Sequence, residues 1–207
     1  MIYLTDNDIV GKLAACDLLD DSLTALGANR ADVLVLPSLK FRFGYGLKRP
    51  AMERKHGAVV VARVLEFLIG VGEVRDASTN ALLGLEDIIG IDQGEAVLIS
   101  AAISLSDSVL LTGDKRCLKT LVEDARCHGI ATGLQGRVLC FEQVMLRLID
   151  HLGFARVQVK VAPNLHCDAA LRAAFGSGME STEANAVASL KSYVVELRNL
   201  PIDLLAP

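Results

Sequence analysis

The sequence predicts an α/β sandwich of three layers: a mainly parallel sheet with helices on both faces, followed by a C-terminal helical hairpin. Three observations carry this. Short runs that are aliphatic on both sides, such as residues 33–36 and 108–112, alternate with longer stretches of helical period. A strand with no polar face belongs in a sheet covered on both sides, where parallel strands are found. The composition agrees, with 52% hydrophobic residues, only 4% aromatic, no Trp, and 22% charged.

The elements follow in order. Residues 2–5 form a short β-type run that ends in Asp6. Residues 9–19 carry helical spacing (Ile9, Leu13, Cys16), and Asp8 is placed to cap that helix. Residues 33–36 make a buried strand stopped by Pro37. Residues 51–70 are periodic, with Val60, Val64, Leu65 and Leu68 on one side, and predict one long helix. Residues 95–105 predict a helix entered through Gly94, and residues 108–112 a strand ending at Gly113-Asp114. A helix over 115–128 closes at Gly129, the usual C-terminal glycine position. A strand at 138–141 and a helix at 142–152, closed by Gly153, come next. Residues 156–161 alternate Val157, Val159 and Val161 with Gln158 and Lys160, which predicts an edge strand wet on one face. Beyond Pro163 the pattern changes to two helices, 168–175 capped by Asp168 and 182–198 capped by Ser181. The chain therefore divides into an α/β domain, 1–162, and a helical extension, 163–207.

Composition also excludes several classes. A chain this apolar is not disordered in bulk. No run reaches the roughly 18 apolar residues of a membrane span, and Thr5–Asp8 interrupt any basic-then-apolar leader, so a soluble, cytoplasmic protein is expected. Five cysteines, an odd number without paired spacing, read as reduced buried thiols. Cys127-His128 and His166-Cys167 lack the companion spacing of a zinc site, and the four histidines have no nucleophile context.

In open parallel sheets ligands bind beyond the carboxyl ends of the strands. The first strand delivers Asp6-Asn-Asp8 there and the 108–112 strand delivers Thr112-Gly-Asp114, while the helix between opens with Asp92-Gln-Gly-Glu95. If those two strands are neighbours, their acids converge, and crowded carboxylates call for a hard divalent cation such as Mg²⁺ or Mn²⁺. Net charge is −4, from 21 basic and 25 acidic residues. The basic residues cluster, however: Lys40, Arg42, Lys48, Arg49, Arg54 and Lys55 stand against a single acid, Glu53, with Phe41, Phe43 and Tyr45 between them. Cations for phosphates and rings for unstacked bases suit a single-stranded nucleic acid. Lys40, Arg42, Lys48, Arg49 and the site-flanking Lys115 are the candidate substrate contacts.

Leu4-Thr-Asp6-Asn-Asp8, Ile91-Asp-Gln-Gly-Glu95-Ala and Val109-Leu-Leu-Thr-Gly-Asp114, in this order, resemble the PIN domain family over roughly residues 1–150. The resemblance implies a Rossmann-like sandwich and Mg²⁺- or Mn²⁺-dependent cleavage of single-stranded RNA by an activated water. Asp6, Glu95 and Asp114 would match the family's catalytic, metal-holding acids, with Asp92 and Asp8 supporting, and Thr112 the hydroxyl residue of its T-x-D turn. It also raises an antitoxin or a second copy of the chain as partner. The family places a further acid in the helix after the second strand, where this chain has Lys40 and Arg42. That departure keeps a degenerate PIN-like module, binding RNA or a protein without cleavage, as an alternative. A haloacid-dehalogenase-type phosphatase is a further alternative, because Asp6-Asn-Asp8 is a DxD at a strand end.

Overall fold

The computed structural model describes residues 1–207. In chain order the elements are β1 (Ile2–Thr5), α1 (Asn7–Ala15), α2 (Leu19–Ala25), β2 (Val33–Val35), α3 (Leu39–Arg42), α4 (Arg49–His56), α5 (Ala58–Phe67) and β3 (Gly72–Glu73). There follow α6 (Thr79–Leu85), α7 (Gln93–Ser104), β4 (Ser108–Thr112), α8 (Lys115–Glu123), α9 (His128–Gly133), β5 (Val138–Cys140), α10 (Phe141–Leu152), α11 (Phe154–Val161), α12 (Ala169–Phe175) and α13 (Glu183–Arg198).

All five strands are parallel, in the order β3-β2-β1-β4-β5. The chain runs outward from β1 to β3, returns to β4 on the other side of β1, and runs outward again. The alternating sides of β1 and β4 divide the core accordingly. Tyr3, Val109 and Leu111 pack with α1, α2, α5, α10, α11 and α12, whereas Leu4 and Leu110 pack with α6, α7, α8 and α9. This is the α/β three-layer sandwich the aliphatic strands predicted. The switch in winding direction falls between β1 and β4, whose register sets Thr5 opposite Leu111. No helix is long and apolar enough to cross a membrane.

Several local expectations are corrected. Asp6, not Asp8, caps α1: its backbone is extended and its Oδ1 accepts the Asp8 N–H at 2.9 Å. The helix expected over 51–70 breaks at Gly57, whose φ of 88° lies in the left-handed region that only glycine enters freely, giving α4 and α5. The 115–128 helix ends at Glu123, because the Asp124 side chain caps a separate 3₁₀ turn at Ala125–Cys127; Gly129 lies within α9. Residues 156–161 are helix α11 rather than an edge strand. Val157 and Val161, four apart, are fully buried on one side while Val159 is exposed, so a 3.6-residue period was hidden inside a two-residue alternation. The sheet edges are instead β3, and β5 extended by the C-terminal tail, where Val138 N–H donates to Leu204 O and Ala206 N–H to Val138 O. Thr182, not Ser181, caps α13, and Asp168 caps α12 as expected.

The C-terminal helices belong to the same buried cluster as the sheet. Leu171, Ala174 and Phe175 of α12 and Ala186 and Leu190 of α13 pack with Tyr3, Val109 and the α10–α11 face. Phe175 is completely buried and stacks on Phe154, centroid to centroid 5.8 Å. Phe175→Ala should cost about 3–5 kcal/mol of global stability. In urea, far-UV and near-UV signals of the variant should shift together in one transition; an early, separate loss of helix with the sheet signal unmoved would contradict it.

Candidate functional site

The strand ends on either side of the winding switch open into a cleft of about 670 Å³ lined by thirteen residues, of which only Leu36 is hydrophobic. Asp6, Asn7 and Asp8 enter it from the end of β1, Asp114 and Lys115 from the end of β4, Asp92 and Glu95 from the start of α7, and Ser38 and Arg42 from α3 and the turn before it. Five carboxylates thus share a space with two cations.

Four of the five acids are fixed by helix starts. Asp6 caps α1 through Oδ1, and Asp114 caps α8 by accepting the Cys117 N–H at 2.9 Å. Asp92 and Glu95 form a reciprocal box at the start of α7: Asp92 Oδ1 accepts the Glu95 N–H at 2.8 Å, and Glu95 Oε2 accepts the Asp92 N–H at 2.7 Å. Thr112, buried beneath, joins the two strand ends; its hydroxyl donates to Asp6 Oδ2 at 3.3 Å and accepts the Asp114 N–H at 3.1 Å. The β4–α8 turn passes so close to α1 that a side chain at Gly113 would meet Lys12 Nζ at 3.0 Å and Asp8 Oδ2 at 3.1 Å.

Crowding is legible in the proton affinities. Burial pushes the Asp6 carboxyl up, with the Asp8 charge adding to it, although the Asp8 N–H and Thr112 bonds oppose the rise. Glu95 is pushed up to about 7 by burial and by the charges of Asp114 and Asp92, against the Asp92 N–H bond that lowers it. Behind them, burial followed by the Glu95 and Asp114 charges drives the Cys117 thiol far above its ordinary range. Asp8 turns the other way, pairing at 2.5 Å with Lys12, which also pairs with Asp168 at 2.7 Å. Burial would lift Asp168, but the bond and charge of Lys12 together with the Leu171 and Ala170 N–H groups outweigh this and hold it below the usual carboxylate range.

Oxygen donors of this density suit a hard divalent cation in kind. No three His, Cys, Asp or Glu side chains converge as a preassembled metal-ligand set.

The substrate candidates separate. Arg42 lines the acidic cleft and has no carboxylate partner. Lys115 lines it too, its ammonium paired with Glu142 and 4.5 Å above the Tyr193 ring of α13. Lys40 and Arg49 instead pair with Glu73 and Glu53 and line a different, largely apolar hollow on the far side of Leu36. Lys48 is exposed on a 3₁₀ turn and lines neither. Of the interleaved rings, Phe43 is core and packs on His56, while Phe41 and Tyr45 are exposed. Sequence reasoning missed Glu142, which is 1% exposed with Oε2 unpartnered. It lies just past the carboxyl end of β5, so the strand-end rule that found Asp6 and Asp114 points to it as well. The five cysteines are unpaired, four of them buried.

Compared with models of protein families, with curated proteins and with solved structures, the chain matches none.

A carboxyl with a higher pKa folded than unfolded binds more protons in the folded state. Stability is therefore lost as pH rises from the unfolded value near 4.5 through about 7. Glu95→Gln keeps the oxygen acceptor that closes the α7 box and removes this titration. Its urea midpoint should be less dependent on pH between 5 and 8 than that of the parent, and above the parent's at pH 8. Equal slopes for the two proteins would contradict the assignment.

Proposed function

We propose that the acidic cleft hydrolyses phosphodiester bonds of single-stranded RNA with the aid of Mg²⁺ or Mn²⁺, in the manner of PIN-like nucleases. The observation that carries this reading is the gathering of Asp6, Glu95 and Asp114 in one polar cleft at the winding switch, beside the cations Arg42 and Lys115. Asp6, Glu95 and Asp114 would hold the cation, with Asp92 alongside, whereas Asp8, expected to support them, is paired with Lys12. When bound, it supplies an acidified water and stabilises charge on the phosphoryl oxygens. Thr112 orients Asp6 through its hydroxyl and is itself located by the Asp114 N–H. Arg42, a planar donor fork, suits a nonbridging phosphate pair, and Lys115 offers a point charge on the opposite side. Lys115 is kept in place from behind by Glu142 and Tyr193 rather than by the other cleft acids.

The phosphatase alternative needs a free nucleophile at Asp6, yet both of its oxygens accept hydrogen bonds, from the Asp8 N–H and Thr112. One observation favours the non-catalytic alternative: Arg42 lines the cleft on α3, the helix in which the PIN pattern carries a further acid.

Asn caps a helix about as well as Asp, so Asp6→Asn and Asp114→Asn change charge while sparing the helix starts. Mn²⁺ at a hundredfold excess over its Kd should stabilise the parent by about 2.7 kcal/mol, raising Tm, and should support cleavage of a single-stranded RNA that chelator abolishes. Both effects should be lost in either variant. RNA bound but left intact in the presence of Mn²⁺ would select the non-catalytic module, and release of phosphate from a phosphomonoester the phosphatase.

A further inference from the structure

A second cleft, of about 370 Å³, opens directly off the acidic one and shares Asn7, Asp8 and Arg42 with it. Its walls come from three separate parts of the chain: α1, the segment from α3 to the first turn of α5, and the 3₁₀ turn Ala162–Cys167 that precedes α12. The charge here is of opposite sign to that of the acidic cleft. Arg42, Lys55, His56 and His166 line it, and neither Arg42 nor Lys55 has a carboxylate partner anywhere in the chain. The only acid in the lining, Asp8, is already neutralised by Lys12. His56 is pressed against Phe43, and its Nε2 is buried without a hydrogen-bond partner. Burial lowers the His56 pKa, and the nearby Lys55 and Arg42 charges lower it further.

Unpaired cations held together on a concave surface meet the needs of a multiply charged oxyanion. We infer that the cleft of Arg42, Lys55, His56 and His166 is a phosphate subsite, holding a backbone phosphate of a single strand whose neighbouring phosphate lies in the acidic cleft. The identity of the ligand as a strand rests on the hydrolytic reading above; the oxyanion chemistry does not. Arg42, on the wall common to both clefts, is the residue placed to reach both phosphates. The strand path thus turns from the acidic cleft toward α4 and the 162–167 turn, away from the hollow of Lys40 and Arg49.

The test is made in EDTA, where cleavage plays no part. Anisotropy of a labelled eight-nucleotide oligouridine is measured for the parent, for Arg42→Ala/Lys55→Ala, and for Arg156→Ala/Lys191→Ala as an equal loss of exposed charge elsewhere. The cleft pair should weaken binding about tenfold and flatten the salt dependence by about 0.7 in slope for each lost contact, while the control pair stays within twofold. An unchanged affinity in the cleft variant, or an equal loss in the control, overturns the subsite. Competition by uridine monophosphate and by inorganic phosphate separates the sources: either one binding as tightly as the octamer would assign the cleft to a free phosphorylated small molecule and overturn the strand. Circular dichroism of the cleft variant should be unchanged, since Arg42 and Lys55 are exposed. Failure of the hydrolytic reading would show as intact RNA with Mn²⁺ and normal binding in EDTA, so the two failures remain distinct.

Discussion

The parallel pairing of β1 with β4 is the constraint from which the candidate site follows. Thr5 lies opposite Leu111, and the Asp6 N–H continues the ladder by one bond to Leu111 O. The first residue past each strand's ladder is then brought to the same edge, and Thr112 can reach Asp6 with its hydroxyl while receiving the Asp114 N–H. An antiparallel partner would send one of these ends to the opposite side of the molecule. Because the winding reverses between the same two strands, no crossover helix covers the gap above them, and the cleft remains open.

Helix starts make that edge tolerable for acids. The helices leaving β1 and β4 begin at the same edge, and α7 brings its own N-terminus to it. Asp6, Asp114 and the Asp92–Glu95 box cap these three helices, so carboxylates face backbone N–H groups and the positive ends of helix dipoles. One oxygen of each is committed to its helix, which fixes where the others stand before any ligand arrives. The compensation is incomplete: Asp6 and Glu95 both keep a raised proton affinity. The acids of this cleft are at once structural caps and a store of unsatisfied negative charge. The second oxygens are not idle either, since that of Asp6 accepts the Thr112 hydroxyl and that of Asp114 lies 3.5 Å from the Arg116 guanidinium.

What the sequence made legible divides along the range of the interactions. The strands, the layer order and the gathering of Asp6, Glu95 and Asp114 could be read from it, because aliphatic runs and strand-end acids are local signals whose consequence is dictated by parallel topology. Helix α11 was misread because Val157, Val159 and Val161 satisfy two periods, and only the neighbours that bury Val157 and Val161 decide between them. Gly57 looked like an interior residue until its φ was known. The basic run of residues 40–55 was legible as a run but not as a surface. A helix, a turn and a second helix distribute its cations among three separate places, and ion pairs with Glu73 and Glu53 occupy two of them. Glu142 and Tyr193 behind Lys115 depended on packing of distant segments, which no spacing encodes.

Arg42 is where the departure from the PIN pattern and the charge layout meet. On the proposed reading, an arginine in place of an acid means one oxygen donor fewer for a metal and one five-donor cation more for a phosphate. Its lack of a carboxylate partner matters here. An arginine needed only to neutralise the crowded acids would be expected to pair with one of them, as Lys12 does with Asp8 and Asp168. Arg42 instead stands on the wall between a space of five carboxylates and a space of cations. A polyanion with a metal at one phosphate and bare cations at the next would find both kinds of partner across that wall. The chain's net charge of −4 is therefore no guide to its ligand, because the acids and the free cations that matter are neighbours, sorted by the fold into adjoining clefts.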